Sequence, residues 1–265
     1  MDSRLKGEVP MTGIFDSHAH YDDERFDQDR EEVLEAIHRG GVEWIMNIGS
    51  DLPTSRMSVE LAEKHDYIYG AVGVHPHGAA EVPPDYLDQL RQLSRHPKVK
   101  AIGEIGLDYY YDREWEAAQK RVFEEQLELA KELELPVIIH DRDAHQDTME
   151  LLRKHRPRGI VHCYSGSAEM ALEILRLGMY IGFTGVVTFK NARRALEAAA
   201  VVPLDRLLVE TDCPYMAPEP WRGKRCDSSM LTQVLRRLAE IKGVSPEELA
   251  RITAENARRV YGIAE

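Results

Sequence analysis

Six histidine, glutamate and aspartate residues each lie in or directly after a short apolar run. The imidazoles occur in FDSHAH, PVIIH and GIVHC, and the carboxylates in AIGEIG and LLVETD. They are His18, His20, Glu104, His140, His162 and Asp212. Ligands of these types bind zinc, manganese and, with weaker preference, magnesium. If the fold brings them together, they could activate a water molecule for hydrolysis.

His18 and His20 are separated by a single residue. In an extended strand, residues i and i+2 point to the same face about 6 to 7 Å apart, so both imidazoles could bind one ion. Asp16 shares that face. The HxH pair alone is a weak signal, because two histidines at the end of a strand can also be satisfied by solvent. The four more distant residues strengthen the metal prediction.

Glu104 lies between Gly103 and Gly106, inside a run that should otherwise be buried. A buried carboxylate needs a cationic partner, because leaving it unpaired costs several kcal/mol. That partner could be an arginine in a structural salt bridge or a pair of metal ions bridged by the carboxylate. Six ligands are too many for one catalytic ion that keeps an open position. The sequence therefore favours two divalent cations.

His140 and His162 end two apolar runs in equivalent ways. A single histidine in such a place is more often a core residue, but two of them beside the HxH pair favour a metal site. Cys163 and Cys213 are the alternative, softer ligands. Because neighbours on a strand point to opposite faces, His162 and Cys163 cannot both point inward. We favour the histidine.

The apolar runs are typical of β-strands that alternate with helices. Helical periodicity occurs between them, for example over 27–39 and 116–133. Eight such units in 265 residues predict an α/β fold, a single-domain (β/α)8 TIM barrel over 1–265, with 1–12 as an amino-terminal extension. An open doubly wound sheet has the same alternation, but ligands on the first and last strands favour closure. The eight predicted strands are 13–16, 43–48, 67–74, 100–104, 137–140, 159–163, 179–183 and 207–211.

Asp212 follows the last predicted strand. A carboxylate there could bind one ion and also accept a proton from the attacking water. A simpler role would be to cap the loop that contains Pro214. Glu210 lies on the same face, but Asp212 is favoured because it lies beyond the barrel wall, where the ligands converge.

The composition excludes several classes of protein. The formal net charge of −12, from 46 acidic and 34 basic residues, gives no long-range attraction to a polyanion, so any contact with DNA must be local. No apolar run approaches the length of a membrane span, and the amino terminus has no apolar targeting segment. The three cysteines are odd in number and widely spaced, which predicts no disulfide framework and a cytoplasmic location.

The motifs FDSHAH, VGVHPH, GEIGLDYYYD, HDRDA, HCYSG, ETDCPY and RGKR, in this order and spacing, resemble those of the TatD family of metal-dependent hydrolases, within the amidohydrolase superfamily. The resemblance runs from about residue 14 to 262. It implies a β/α barrel with two divalent cations (Mg, Mn or Zn) and deoxyribonuclease activity. Carried over by position, one ion would be bound by His18, His20, Glu104 and Asp212, and the other by Glu104, His140 and His162.

One loop departs from the family pattern. RGKR is commonly followed by Asn-Glu-Pro in the family, whereas here it is followed by Cys226, Asp227 and Ser228. The predicted ligands are untouched, but the loop expected to face the substrate differs.

Candidate substrate contacts lie near the predicted ligands. Arg142 is two residues beyond His140, and a basic cluster follows the last strand, so both could bind phosphate, although such charges are often only solvated. The tyrosines at 109–111 could stack an unpaired base or simply pack under loops. His75 and His77 could face the substrate or support the ligands. The predicted contacts are His75, Tyr109, Arg142, Arg222, Lys224 and Arg225.

Three functions compete. The first is a two-metal phosphodiesterase acting on DNA, with Asp212 and Glu104 as catalytic residues. The second is hydrolysis of an amide or ester, in a small molecule or in aminoacyl-tRNA, by the same activated water. The third is metal binding without catalysis, which the complete ligand set disfavours. The ligands alone do not distinguish the first two functions.

Overall fold

The computed structural model describes residues 11–111 and 113–264. Within this part of the chain, eight parallel strands form one sheet whose spatial order follows the sequence. This arrangement confirms the predicted (β/α)8 barrel. Most of the predicted amino-terminal extension, residues 1–10, lies outside the described residues. The strands are β1 (Ile14–Ala19), β2 (Val42–Ile48), β3 (Ile68–Val72), β4 (Val99–Asp108), β5 (Val137–Arg142), β6 (Gly159–Val161), β7 (Tyr180–Phe183) and β8 (Leu207–Val209).

The barrel closes between β1 and the segment that follows β8. Ala19 and Cys213 form a parallel bridge, in which the amide of His20 donates to the carbonyl of Cys213 at 2.8 Å. The amide of Asp212 donates to the carbonyl of His18 at 2.9 Å. An open sheet would leave these first and last segments apart. Closure therefore places predicted ligands from both ends of the sequence side by side.

Helices follow the strands and cover the outside of the barrel. Their apolar faces are buried, as for Val122, Phe123 and Leu127 in the fourth helix, because a helical period of 3.6 residues presents one stripe to the sheet. No helix among the described residues is long and apolar enough to cross a membrane. The α-helices of the described residues are α1 (Arg30–Arg39), α2 (Leu52–Lys64), α3 (Tyr86–Leu93), α4 (Glu116–Glu132), α5 (His145–His155), α6 (Ala168–Arg176), α7 (Arg193–Val201), α8 (Leu231–Lys242) and α9 (Pro246–Tyr261).

The interior of the barrel is apolar at the end opposite the carboxyl ends of the strands. One or two buried residues from every strand, such as Phe15 of β1 and Ile138 of β5, pack in one cluster with the carboxyl-terminal helix α9. Tyr261 of α9 donates a hydrogen bond to the carbonyl of Ser17 at 2.8 Å. Apolar side chains packed against α9 occupy this end. The polar residues of the strands therefore lie at the opposite, carboxyl-terminal end.

The predicted end of the fourth strand at residue 104 is wrong. β4 continues to Asp108, since its last residues pair with β5 from Gly106 opposite His140 to Asp108 opposite Arg142. Gly106 has φ +146°, and a Cβ there would lie 2.0 Å from the carbonyl oxygen of His140, so only glycine fits this close approach of the two strands. Glu104 therefore lies in the middle of β4 and not at its end.

Candidate metal centre

The six predicted ligands converge at the carboxyl end of the barrel, around the carboxylate of Glu104. This side chain has only 5% of its surface exposed. Its two oxygen atoms face different neighbours: Oε2 faces the residues of β1 and Asp212, whereas Oε1 faces the histidines that follow from β5 and β6. Each oxygen therefore belongs to a separate group of possible ligands.

On the Oε2 side, two imidazoles and a second carboxylate surround one point. The Nε2 atoms of His18 and His20 lie 3.5 and 3.6 Å from Oε2 of Glu104 and 3.6 and 3.4 Å from Oδ1 of Asp212. The two Nε2 atoms are 3.0 Å apart. The spacing of one residue on an extended strand has thus placed both rings on the same face, as predicted.

On the Oε1 side, the neighbours are imidazoles only. Nδ1 of His140 lies 2.8 Å and Nε2 of His162 lies 2.7 Å from Oε1 of Glu104, and these nitrogen atoms are 3.4 Å apart. Nε2 of His75 lies 3.6 Å from the same oxygen, and its ring packs edge-on against His140. His75 was predicted as a substrate contact, but its position also makes it a possible ligand.

The chemistry of these donors fits metal ions. Nδ1 of His20 lies 2.8 Å from the carbonyl oxygen of Ile48, which only accepts, so this nitrogen carries the proton and Nε2 presents a lone pair to the centre. His140 is oriented in the same way, since its Nε2 donates to Asp108 and its Nδ1 faces Glu104. Lone pairs and carboxylates that face one another at 2.7 to 3.6 Å need a shared cation.

Without such a cation, the charges balance through protons. Burial alone would raise the pKa of Glu104, but the surrounding histidines, led by His162, hold it well below its usual range. Burial opposes protonation of His20, yet the hydrogen bond to Asp212 and the nearby carboxylates raise its pKa to about 9. The pKa of Asp212 is lowered despite burial, by its hydrogen bond to His20. The carboxylates therefore stay ionised and ready to bind cations.

Asp108 and Glu210 lie behind the histidines. Asp108 was not predicted from the sequence, and Glu210 was ranked below Asp212 as a candidate on the same face. Oδ2 of Asp108 lies 3.2 Å from Nε2 of His140 and 3.2 Å from Nε2 of His77. Glu210 is fully buried, with Oε1 3.6 Å from Nδ1 of His162. Carboxylates behind metal-binding histidines fix ring orientation and raise basicity. Asp108 is four residues after Glu104, so a predicted strand that continued to residue 108 would have placed both carboxylates on the same face.

Asp16 joins the first and last strands beneath the centre. Its carboxylate accepts hydrogen bonds from the amide and hydroxyl of Thr211 at 3.0 and 2.6 Å, and from the hydroxyl of Ser228 at 2.6 Å. Burial raises the pKa of Asp16 to about 6, although these hydrogen bonds oppose the shift. Ser228 belongs to the loop that departs from the family pattern, so this loop is anchored to the strand that carries His18.

Two residues in the centre have left-handed backbones. Asp212 has φ +57° and Cys163 has φ +42°, which is uncommon outside glycine. β6 ends at Val161, so the strand alternation used to separate His162 from Cys163 does not extend to them. Cys163 places its Sγ 3.6 Å from the hydroxyl of Thr184. None of the three groups of possible ligands found among the described residues includes a cysteine.

The predicted substrate residues of β4 and β5 lie at the mouth of the barrel. The guanidinium carbon of Arg142 lies 4.0 Å from the ring centre of Tyr110 and 4.8 Å from that of Tyr111. The hydroxyl of Tyr109 instead donates to Asp147 of α5 at 2.7 Å, so this hydroxyl already has a partner within the fold. Tyr110 and Tyr111 are exposed, at 58% and 61%.

The predicted basic cluster after β8 separates into two environments. Arg222 is exposed and covers the ring of Phe189 at 4.3 Å, and Lys224 is exposed beside it. Arg225 forms a two-pronged ion pair with Asp29, at 2.8 and 2.6 Å. This pair satisfies Arg225 within the fold, so the structure favours a structural role over phosphate binding for this residue.

Comparison with known proteins agrees with this geometry. A family model described as TatD related DNase matches residues 15–262. The uncharacterized metal-dependent hydrolase YabD of Bacillus subtilis is 45% identical over 253 residues, which cover 94% of this chain and 99% of that protein. The 3'-5' ssDNA/RNA exonuclease TatD of Pectobacterium parmentieri is 37% identical, with 95% and 100% covered.

A solved structure has the same fold. The crystal structure of YjjV, a TatD homologue from Escherichia coli K12, superimposes with a TM-score of 0.91 at 31% identity and covers 96% of this chain and 100% of that one. A whole-chain family match, close relatives and a barrel centred on histidines and carboxylates all lead to one conclusion. The chain belongs to the TatD family of metal-dependent hydrolases.

Proposed function

We propose that this protein is a TatD-type deoxyribonuclease that hydrolyses phosphodiester bonds at a centre of two divalent cations. The observation that carries the proposal is the position of Glu104, whose two carboxylate oxygens each face a separate group of ligands. One ion would be bound by His18, His20, Glu104 and Asp212, and the other by Glu104, His140 and His162. The exonuclease name of the Pectobacterium relative supports a nucleic-acid substrate.

The residues of the chain would divide the work between binding and proton transfer. When bound, divalent cations lower the pKa of a water molecule and neutralise charge on the phosphate oxygens. Asp212 would accept the water proton at its carboxylate, which is ionised because its pKa is lowered. The Asp212 side chain is 14% exposed, more than the 5% of Glu104, so of the two carboxylates Asp212 is the one closer to solvent.

DNA would reach the centre through local contacts at the mouth. A chain with a net charge of −12 cannot attract DNA at long range, so a few cations must position the phosphate. Arg142, Arg222 and Lys224 are the proposed contacts, and Tyr109 and Arg225 are placed less favourably by their internal partners. We also propose a cytoplasmic location, which the three free cysteines support.

The test is a comparison of two aspartate-to-asparagine variants. Wild-type protein with Mn²⁺ or Mg²⁺ should degrade end-labelled single-stranded DNA, and EDTA should stop the reaction. Asp212→Asn should abolish degradation, whereas Asp205→Asn, at the opposite end of the barrel and 67% exposed, should not change it. Release of product from amide or ester substrates with the DNA left intact would contradict the proposal and favour the second reaction class.

A further inference from the structure

The mouth of the barrel carries an aromatic surface in contact with the side chain of Arg142. We define the tyrosine platform as Tyr110 and Tyr111, which directly follow β4 and have ring centres 4.7 Å apart at an angle of 86°. Both rings are more than half exposed. Arg142 of β5 lies against both rings. A surface that shows aromatic faces and a cation together suits a base and its neighbouring phosphate.

The platform is fixed relative to the metal centre. Oδ1 of Asp108 accepts hydrogen bonds from the amide of Tyr110 at 2.9 Å and from that of Tyr111 at 3.4 Å. The other oxygen of the same carboxylate contacts His140. One buried side chain therefore positions both a predicted metal ligand and the turn that carries the rings, so a nucleotide on the platform is held at a set distance from the centre.

Arg142 keeps its hydrogen-bonding capacity for a ligand. Within the described part of the chain its guanidinium forms no hydrogen bond and no ion pair. It makes cation–π contacts with the two tyrosine rings. A guanidinium offers five N–H donors in a planar fork that matches a phosphate group. Stacking on tyrosine leaves those edge donors unused.

A second arginine and tyrosine at the mouth show the contrast. Arg25 lies 4.0 Å above the ring of Tyr215, but it also donates to both oxygens of Asp23 at 2.9 and 3.0 Å. The hydroxyl of Tyr215 donates to Asp23 as well, at 3.2 Å. In that pair the charge is neutralised inside the protein. Among the residues that the structure describes, the same stacking at Arg142 has no carboxylate partner, and this difference points to an external anion.

We propose that the tyrosine platform and Arg142 form a subsite that selects single-stranded DNA, with an unpaired base stacked on the rings and its adjacent phosphate bound by Arg142. A base in a duplex has its faces covered by neighbouring pairs, so only an unpaired base can use the platform. This inference rests on the proposed nuclease function and names residues that determine its specificity.

The experiment separates binding of the strand from chemistry at the centre. Tyr110→Ala/Tyr111→Ala should raise the KM for a single-stranded oligothymidylate about 10-fold or more, as expected for loss of one stacked base. Its turnover of bis(p-nitrophenyl) phosphate, which has no nucleobase and only one phosphate, should stay within about twofold. Tyr110→Phe/Tyr111→Phe keeps the rings and should restore the wild-type KM. Tyr215→Ala is the matched control and should change neither substrate.

Arg142→Gln tests the phosphate contact. For single strands each neutralised phosphate contributes about 0.7 to the slope of log binding constant against log salt, so the variant should lower this slope by about that amount. The probe is a fluorescein-labelled oligothymidylate bound to Asp212→Asn protein with Mn²⁺, measured by anisotropy, with and without the arginine substitution. An unchanged slope would overturn the role of Arg142.

The two proposals fail in different ways. Hydrolysis of neither the oligonucleotide nor the small diester by wild-type protein would contradict the nuclease function, while the anisotropy measurement would still test the subsite. Wild-type hydrolysis with an unchanged KM in Tyr110→Ala/Tyr111→Ala would overturn the subsite and leave the nuclease function standing. Equal affinity of the platform variant and wild type for the labelled strand would also overturn it.

Discussion

The two sides of Glu104 differ in charge although they share one carboxylate. The Oε2 side has the additional carboxylate of Asp212, whereas the Oε1 side has imidazoles only. Electrostatic attraction for a divalent cation is therefore stronger on the Oε2 side. The Oε1 side compensates from behind, because Asp108 and Glu210 stand outside its histidines. The two proposed ions are therefore not equivalent: the first would be held directly by charge and the second through oriented imidazoles.

The substitution with the largest expected effect is Glu104→Gln, because it removes the charge that both sides share. The amide keeps the volume but loses the negative charge, so neither group of ligands can retain its ion. We expect loss of both metal ions and a fall in kcat of about 1000-fold or more. Metal analysis by mass spectrometry together with the nuclease assay checks this. Retention of one ion per chain would show that Glu104 does not bridge.

Removing one histidine from each side should distinguish the ions. His162→Ala should lose the weaker ion and leave about one ion per chain. His20→Ala should weaken binding of the tighter ion, so that few ions are bound per chain when the metal concentration is low. Both variants should be inactive, since the proposed chemistry needs both ions. Titration with a competing chelator measures the two affinities. Equal loss of both ions from His162→Ala would contradict the asymmetry.

A smaller change should follow from Asp108→Asn. The amide can still contact His140 but no longer carries the charge that orients it, and such supporting substitutions typically weaken metal binding by about 10- to 100-fold. We expect the loss to fall on the ion of the Oε1 side. Glu116→Gln, at a half-buried acid at the start of α4 that is paired with Lys120, is a matched control that should leave both affinities unchanged. Calorimetric titration with Mn²⁺ compares the three proteins.

The smallest expected effect is the change in metal affinity for each unit of pH. In metal-free protein the pKa of His20 is raised to about 9, so below that pH a metal ion must displace a proton, and affinity should rise about 10-fold per pH unit between 7 and 9. Stability of the metal-free protein should move the other way. A folded-state pKa above the ordinary 6.5 contributes stability that is complete below pH 6.5 and is lost as pH rises toward 9.

Thermal unfolding with EDTA, compared between wild type and His20→Gln at pH 6.5 and pH 9, measures that second trend. The difference in Tm between the two proteins should shrink as pH rises. A difference that is independent of pH would show that His20 is not protonated in the metal-free centre.

The fold and the six converging residues were predictable from sequence because both depend on local pattern. An apolar run with a histidine at its end indicates a strand and the side of the barrel to which it points, and the HxH spacing fixes a shared face for His18 and His20. Closure followed from the position of His18 in the first strand and of Asp212 directly after the last predicted strand. The surplus of ligands led to the prediction that Glu104 bridges two ions, and its two oxygen atoms do face two separate groups of residues.

The supporting residues were not predictable in the same way. Asp108 was missed because the predicted strand stopped at Glu104, and pairing with β5 extends it. The partners of Tyr109 and Arg225 lie on α5 and just before α1, far away in sequence. A side chain that contacts a distant residue leaves no periodic signal. Only the tertiary structure therefore separates Arg225, which is paired, from Arg142, which has no ion pair within 11–111 and 113–264.

The junction at Asp16 has a consequence for synthesis of the protein. This residue lies near the start of the chain, yet it holds Thr211 and Ser228 near the end, next to the residues that form the Oε2 side. In a nascent chain on the ribosome, His18 and His20 are synthesised early. The candidate metal centre cannot assemble around them until β8 and the following loop have emerged. The hydrolytic centre is therefore completed only after most of the barrel has been translated.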